Sequence, residues 1–328
     1  MNRDRLDRAL RALLYVPFSL LLGAVLLRAA APRTWKIEVY RVFFDDVFWL
    51  CVPYAALAVV LIVLALRARR WWAALCSAGC ALLAVTAFYA RYVESEQIVV
   101  RQSEVAVGAP LRVALIADLH IGLFQRAARV EQIVDALNAL EVDVVVVAGD
   151  WTYEPTRPLA ELLEPLKRLR HRTLSVPGNH DEEMPGPPLA VELDAALRLY
   201  GVESIAGRTA DVNGVRFAGL GDRWAGKDRV PPHDNDARPM VAVAHNPDSI
   251  DQVRGTQITT MLSGHTHGGQ INLPLLTEWA LARATAGGFK RGLYQRNDKQ
   301  VFVTSGLGTI AMPLRLFQPP VIDVLTFR

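Results

Sequence analysis

Apolar residues are concentrated near the N-terminus. The stretches 47–66 and 71–90 are each twenty residues long without a charge, so each can cross a membrane as a helix. A third stretch, 12–31, is apolar up to Arg28 and follows a segment with four arginines. Because two further spans follow it, we interpret it as a retained helix rather than as a cleaved signal peptide. The pattern predicts a membrane domain over residues 1–97 with about three transmembrane helices.

From residue 98 onwards, short apolar runs alternate with helical patterns. Apolar positions recur at helical spacing over 130–140, over 159–169 with a kink at Pro165, and over 189–200 before Gly201. Between them lie runs that are rich in β-branched residues, as buried strands are. These runs are Leu111–Ala117, Val142–Ala148, Thr173–Val176, Val215–Leu220, Met240–Ala244, Ile258–Leu262 and Val301–Thr304. The alternation predicts one layered α/β domain over residues 98–328.

The same two regions also differ in net charge. The whole chain of 328 residues has a net charge of +3, but residues 1–97 carry +5 and the remainder −2. The second region is therefore not basic, and we expect no nucleic-acid partner. Arginines at the N-terminus and at 67–70 slightly outnumber the basic residues at 28–46, which favours a cytoplasmic N-terminus. That orientation places the second region outside the cytoplasm, at the cell (inner) membrane. The three cysteines all lie in the second and third spans, so the second region has no disulfide or thiol chemistry.

Metal-binding residue types follow five of the predicted strands. In strand order they are Asp118 and His120, Asp150, Asn179 with His180 and Asp181, His245, and His265 with His267. Functional groups gather beyond the carboxyl ends of strands in α/β sheets. Each residue alone is more often a satisfied buried polar group, but that explanation is weak for the whole ordered series. The series therefore predicts a functional cluster.

The chemistry of this cluster favours metal ions. Imidazole and carboxylate donors together suit manganese, iron or zinc. Seven of these side chains exceed what one ion needs, so we expect two divalent ions with one carboxylate between them. The seven are Asp118, His120, Asp150, Asn179, His245, His265 and His267. Such a pair suits displacement at phosphorus, with a hydroxide that bridges the metals as the nucleophile.

These motifs resemble the calcineurin-like metallophosphoesterase superfamily. The resemblance covers about residues 110–328, and the sequence GHTHGGQ at 264–270 is similar to a bacterial branch that is often tethered to membranes. It implies a four-layer α/β/β/α sandwich of two mixed sheets. It also implies that Asp118, His120, Asp150 and His267 hold one metal and that Asp150, Asn179, His245 and His265 hold the other, with Asp150 bridging. His180 is then a proton donor or phosphate contact, and Asp181 orients it.

Three functions remain open at this point. The first is a membrane-anchored two-metal phosphoesterase that acts on a phosphodiester or a lipid-linked phosphate. The second is an enzyme similar to the UDP-diacylglucosamine pyrophosphatases of lipid A synthesis, which requires a cytoplasmic site. The third is a receptor or scaffold that has the fold without the activity. Arg223 and Trp224 are further candidates for substrate contact.

Two apolar loops bear on the substrate and on membrane lipids as partners. Residues 271–281 and 309–317 are both apolar and follow the last motifs. Apolar runs of this kind are usually buried in the core, and we expect the same here. The alternative is an exposed apolar surface that receives a lipid tail or touches the bilayer.

Overall fold

The computed structural model of the chain describes residues 3–30, 37, 41, 44, 47–182, 187–233 and 237–328. The chain divides into two compact units, which are described separately below. One unit comprises Met1–Glu94 with Met312–Leu314, and the other comprises Ser95–Ala311 with Arg315–Arg328.

The first unit is helical. Its helices are α1 (Arg3–Ala30), α2 (Cys51–Arg67) and α3 (Trp71–Tyr92), and a 3₁₀ turn at Phe48–Leu50 leads into α2. Among the described residues, two helical segments, Phe48–Arg67 and Trp71–Glu96, are long and apolar enough to cross a membrane. They correspond to the second and third predicted spans. The first predicted span falls within α1, except for residue 31, which lies outside the described residues.

Packing within this unit resembles that of membrane helices. Small side chains, including Ala58, Ala65 and Ala73, are buried where the helices meet. Large apolar side chains point outwards, and Trp72 is 81% exposed and Leu83 71%. A core helix of a soluble protein would bury such residues. The outward-facing surface is therefore typical of contact with lipid.

The second unit contains two six-stranded sheets. The first sheet has the order β1-β14-β2-β4-β6-β7 and is parallel except for the antiparallel β14-β2 pair. Its strands are β1 (Val99–Val105), β2 (Leu111–Ile116), β4 (Val144–Ala148), β6 (Thr173–Val176), β7 (Val202–Ser204) and β14 (Val321–Phe327). A small parallel pair, β3 (Ile121–Gly122) with β5 (Thr152–Tyr153), extends beyond β2 and β4.

The second sheet has the order β12-β13-β11-β10-β9-β8. Its strands are β8 (Thr209–Val212), β9 (Val215–Gly219), β10 (Met240–Val243), β11 (Thr260–Ser263), β12 (Gly292–Arg296) and β13 (Lys299–Val303). The four central strands are parallel, and both outer pairs are antiparallel. Both sheets are therefore mixed, as predicted.

The two sheets pack face to face, and strand alternation decides which side chains lie between them. On β2, Val113 and Leu115 join the cluster between the sheets, whereas Ala114 and Ile116 face the helices. Those helices are α4 (Ala127–Asn138), α5 (Leu159–Leu162) and α6 (Ala190–Leu199). The layered sandwich expected from the sequence is confirmed.

Two local features differ from the predicted pattern. The helix predicted over 159–169 is α5 followed by a 3₁₀ helix at Glu164–Arg168, because Pro165 cannot donate the next α-helical hydrogen bond. The outer face of the second sheet is covered by a 3₁₀ helix, Pro247–Val253, and by Phe289, where we expected α-helices. A last helix, α7 (Leu276–Ala284), follows the loop after β11.

Candidate metal centre

The predicted site residues follow the carboxyl ends of five strands in the two sheets. Asp118 and His120 follow β2, Asp150 follows β4, and the Asn179–Asp181 loop follows β6. In the second sheet, His245 follows β10, whereas His265 and His267 follow β11. The strands carrying these residues are parallel within each sheet, so their carboxyl ends lie at one edge. The fold thus brings distant parts of the sequence together in one cluster.

The backbone at this edge is strained. Five of the seven predicted ligands lie in the left-handed region, with φ of 53° at Asp118, 49° at His120, 54° at Asp150, 74° at His265 and 52° at His267. Such a conformation costs a residue other than glycine about 1–2 kcal/mol. It persists where the surrounding structure imposes it, commonly at functional sites. The strain therefore separates this cluster from ordinary buried polar residues.

One group of donors is formed by Asp118, His120 and His267. The two imidazole Nε2 atoms lie 3.0 Å apart, and the Nε2 of His267 lies 3.5 Å from Oδ1 of Asp118. All three side chains are buried, and one ligand atom from each lies within 4.8 Å of the others. This spacing is suited to a shared cation.

A second group is formed by Asp118, Asp150 and His245. The Nε2 of His245 lies 3.1 Å from Oδ2 of Asp150 and 3.9 Å from Oδ1 of Asp118. The same Oδ2 of Asp150 is 3.6 Å from the Nε2 of His120. Asp118 and Asp150 therefore each lie near histidines of both groups. The resemblance implied a bridging position for Asp150 alone.

His265 and Asn179 lie beside these groups. The Nδ1 of His265 is 3.2 Å from the Nε2 of His245, and its backbone NH donates to Asp118 at 3.1 Å. Asn179 is buried in the loop after β6. The next residue in that loop, His180, donates its backbone NH to Oδ1 of Asp150 at 3.0 Å. The structure thus gathers His120, His245, His265 and His267 around Asp118 and Asp150. Asn179 lies in the adjoining loop.

Hydrogen bonds on the far side of two imidazoles define which nitrogen faces the site. The Nδ1 of His120 lies 3.3 Å from the carbonyl oxygen of Thr152, and the Nδ1 of His245 lies 2.8 Å from that of Ala148. A carbonyl oxygen only accepts, so each Nδ1 carries the proton in these bonds. The Nε2 of the neutral ring is then a lone-pair donor towards the site, as metal ligation requires.

The pKa values of three histidines also indicate a cation site. Burial lowers the pKa of His120 to about 3 and the pKa of His267 well below its usual value, so both rings are neutral. Burial also disfavours a charged His245, but Asp150 and Asp118 outweigh it and raise its pKa to about 10. The space between the two carboxylates therefore favours positive charge. A divalent cation would satisfy this preference and displace the proton.

Asp118 and Asp150 differ in their electrostatic surroundings. Burial raises the pKa of Asp118 to about 7, and the nearby Asp150 acts in the same direction. Burial acts on Asp150 too, but His245 and His120 hold the pKa of that carboxyl well below its usual range. Carboxylate, imidazole and amide donors in this arrangement fit the divalent ions that the family implies.

Hydrogen bonds of Asp181 connect the loop after β6 to the loop after β4. Asp181 accepts hydrogen bonds from the backbone NH groups of Trp151, Thr152 and Gly178, at 3.0–3.1 Å, and from the hydroxyl of Thr152 at 2.8 Å. A Cβ atom on Gly178 would collide with the side chain of Asp150. Asp181 thus connects the loop of His180 to the residues that follow β4.

The His180 ring lies at the edge of the cluster. It packs edge-to-face against His120 and Tyr153, with ring centroids 5.2 Å away in both cases. His180 is 9% exposed, so it is more accessible than His120, which is 1% exposed. This location beside the donor groups suits a group that contacts substrate.

Sequence reasoning missed two buried residues near the site. Arg315 is fully buried and donates to the backbone carbonyls of Ser305, Gly308 and Gln318 at 2.9–3.2 Å. Asp222 follows β9 and is 1% exposed. The glycine before Asp222 repeats the Gly-Asp pattern of 149–150, which is the signal that could have identified it. Arg315 ends the segment Pro313-Leu314-Arg315, which resembles the same membrane-tethered branch, but that pattern does not indicate its three carbonyl partners.

Comparisons with known proteins find phosphoesterases. The family described as calcineurin-like phosphoesterase matches residues 111–269. An uncharacterized metallophosphoesterase of Helicobacter pylori strain 26695 is 31% identical over 228 residues, which cover 66% of this chain and 59% of that protein. Phosphodiesterase YaeI of Escherichia coli K12 is 27% identical over 229 residues, which cover 66% of this chain and 82% of that protein.

A vertebrate relative also carries a membrane description. A protein of Danio rerio described as a transmembrane protein with metallophosphoesterase domain is 30% identical over 228 residues, covering 63% of this chain and 50% of that protein. The chain thus spans 59% of the length of the Helicobacter relative and half of the Danio one.

Proposed function

We propose that the protein is a metal-dependent phosphoric ester hydrolase of the calcineurin-like phosphoesterase family, whose model matches residues 111–269. The observation that carries the proposal is the pair of donor groups that share Asp118. Two buried carboxylates beside the neutral imidazoles of His120 and His267 favour a bound cation, as the raised pKa of His245 also indicates. The proposal therefore follows from the electrostatics of the site as well as from the family.

We infer that two divalent ions bind, with manganese, iron or zinc as the fitting elements. Asp118, His120 and His267 would hold one ion, and Asp150, His245, His265 and Asn179 the other, with a carboxylate shared between them. When bound, such ions supply an activated water nucleophile and stabilise the charge that develops on phosphate oxygens. The full donor set is the reason to prefer an enzyme over a scaffold that only binds.

The remaining site residues would contact the substrate or hold the metal-binding side chains in place. His180 would donate a proton to the leaving oxygen or a hydrogen bond to the phosphate, since its ring lies at the accessible edge of the cluster. Asp181 would hold the His180 loop against Asp150 through Trp151 and Thr152. The carbonyls of Thr152 and Ala148 would keep two imidazoles in the ligating tautomer.

We also propose that the enzyme is anchored in a membrane by residues 1–97, with residues 98–328 as its catalytic domain. Two apolar helices and their outward-facing Trp72 and Leu83 support this location. A phosphodiester or a lipid-linked phosphate is the substrate class that an anchored phosphoesterase would reach. The charge pattern of the N-terminal region favours a catalytic domain outside the cytoplasm, which a reporter fused to the C-terminus would test.

The test is hydrolysis of bis(4-nitrophenyl) phosphate by the full chain with Mn²⁺, compared with Asp150→Ala. Several kcal/mol of charge stabilisation depend on the ions, so we expect at least about a 10³-fold loss. Glu154→Ala is the matched control, because this nearby acid lies outside both donor groups. Equal rates for wild type and Asp150→Ala would refute the metal-dependent mechanism.

A further inference from the structure

The two apolar loops that follow the last motifs lie side by side. The backbone NH of Asn272 donates to the carbonyl of Leu316 at 2.8 Å, and its side-chain amide donates to that of Phe317 at 3.2 Å. The Gln270 side chain bonds both backbone groups of Ile310, at 2.8 and 3.0 Å. The loops therefore form one surface, although they are about forty residues apart in sequence.

Large apolar side chains of this surface face the solvent. Leu275 is 86% exposed, Leu276 57%, Trp279 59% and Phe317 63%. We call these four residues the apolar ledge. The expectation that both loops would be core is wrong for these residues, since only parts of the loops, such as Thr277 and Leu281, are buried. Exposed apolar residues grouped in this way mark an interaction surface.

The start of α7 is held in an unfavourable conformation. Leu275 precedes the helix with φ of 67°, a left-handed conformation that costs a residue with a branched side chain free energy. Thr277 compensates locally, because its hydroxyl donates to the carbonyl of Ile271 and accepts from the NH of Leu273. A strained leucine that also points into water is unexpected unless the exposed position has a use.

The apolar ledge is fixed to the candidate metal centre through the glycines that follow His267. Gly269 has φ of 87°, and a Cβ atom there would collide with the methyl group of Thr277 in α7. Gly268 has φ of 59°, and a Cβ atom there would press against Gln318, one residue after Phe317. Close approach therefore requires glycine at both positions. The ledge and the ligand loop are therefore in close contact.

We propose that the apolar ledge inserts into the interfacial region of the lipid bilayer in which the chain is anchored. Leucine, tryptophan and phenylalanine are the residues by which peripheral surfaces enter the acyl boundary. Arg291 supplies an exposed positive charge suited to anionic lipid headgroups. It lies next to Lys290, which is ion-paired with Glu278 of α7 at 2.8 Å. This inference rests on the proposed membrane anchoring and is independent of the proposed activity.

The consequence concerns access to substrate. A ledge embedded at the headgroup level holds the His265–His267 loop close to the bilayer surface. A phosphate ester whose apolar part stays in the membrane could then reach the metal centre without leaving the lipid. The partner of this surface is thus the bilayer itself, rather than a soluble protein.

The test uses the full chain with Cys51, Cys76 and Cys80 replaced by serine, so that one new cysteine carries a bimane probe. Leu276→Cys places the probe on the ledge, and Leu199→Cys is the control, since that leucine is 66% exposed at the end of α6. The labelled chains are reconstituted into phosphatidylcholine–phosphatidylglycerol vesicles with nitroxide-labelled acyl chains. We expect lipid quenching to be at least about two-fold stronger at position 276 than at 199.

Equal quenching at the two positions would overturn the proposal. A blue-shifted emission at 276 without lipid quenching would also overturn it, because it would indicate a protein partner. Replacing Leu275 and Leu276 by aspartate should reduce quenching of a probe introduced by Trp279→Cys to the level of the control. Quenching does not depend on catalysis, so a protein that fails to hydrolyse phosphodiesters would refute the proposed function and leave this result unaffected.

Discussion

The two sheets contribute different chemistry to the candidate site. The first sheet supplies both carboxylates, Asp118 and Asp150, together with the loop that carries Asn179 and His180. The second sheet supplies His245, His265 and His267. The first sheet also supplies His120, but each donor group needs a histidine of the second sheet, His267 in one and His245 in the other. The second sheet in turn supplies no carboxylate to either group. The site is complete only where the edges of the two sheets meet, so bound ions would link the sheets.

The two sheets also differ in what covers their outer faces. Helices α4, α5 and α6 cover the first sheet with a continuous apolar layer. The second sheet has a 3₁₀ helix and Phe289, and its loops extend into the apolar ledge. The first sheet is thus enclosed within the domain, whereas loops of the second sheet are available to meet another surface.

The largest expected effect comes from the chain segment that crosses between the sheets. Arg315 lies between β13 of the second sheet and β14 of the first, and it satisfies three buried carbonyls. Arg315→Ala leaves these acceptors without their donor, at about 1 kcal/mol each or more. We therefore expect a loss of about 3 kcal/mol in the free energy of unfolding, measured by denaturant unfolding in detergent. Arg315→Lys keeps the charge but not the three bonds, and it should recover less than half.

Arg238 offers a matched control, because it is an exposed arginine paired with Asp211. Arg238→Ala should change the free energy of unfolding by less than about 1 kcal/mol. If Arg315→Ala and Arg238→Ala have equal effects, the crossing segment does not hold the sheets together through Arg315.

A smaller effect is expected from a substitution of His180, which tests whether the first sheet does more than bind metal. His180→Gln removes the proton donor and keeps a hydrogen-bonding side chain of similar length. We expect about a 10²-fold loss of kcat at an unchanged metal content, the lower range for general acid catalysis. The loss should be smaller for a substrate with a 4-nitrophenolate leaving group, which needs little protonation. A parallel loss of bound metal would instead make His180 a ligand.

The smallest effect concerns a buried acid between the sheets and away from the donor groups. Burial raises the pKa of Asp323 to about 6, above its value in an unfolded chain. The folded state then binds this proton more tightly, so the contribution is full below about pH 4 and is lost as the pH rises through 6. We expect at most about 3 kcal/mol from this group, measured as the pH dependence of unfolding. Asp323→Asn should flatten that dependence, and an unchanged profile would contradict the assignment.

Much of the site could be predicted because its residues end strands. Asp118, Asp150 and His245 each follow a β-branched run, and parallel strands bring such ends together. The same pattern predicts both sheets. Strand β14 was missed, because 321–327 carries Asp323 and Thr326 and follows no helical pattern that would mark a βαβ unit.

Other features depend on contacts that sequence spacing does not encode. The exposure of Leu275 and Trp279 follows from how α7 packs on Gly269, and the apolar composition alone favoured burial. The role of Arg315 depends on three carbonyls within one loop. The hydrogen bonds of Asp181 go to the backbone after β4, a partner that its place next to His180 does not suggest.

The central claim is that donors from both sheets jointly hold a metal pair. Titration of the metal-free full chain with Mn²⁺, followed by electron paramagnetic resonance, tests it most directly. We predict about two ions per chain with a spin-coupled signal, because shared carboxylates hold such ions about 3.5–4 Å apart. His267→Ala, from the second sheet, and Asp150→Ala, from the first, should each abolish the coupling. Binding of a single uncoupled ion by the wild type, or coupling that survives both substitutions, would contradict the account.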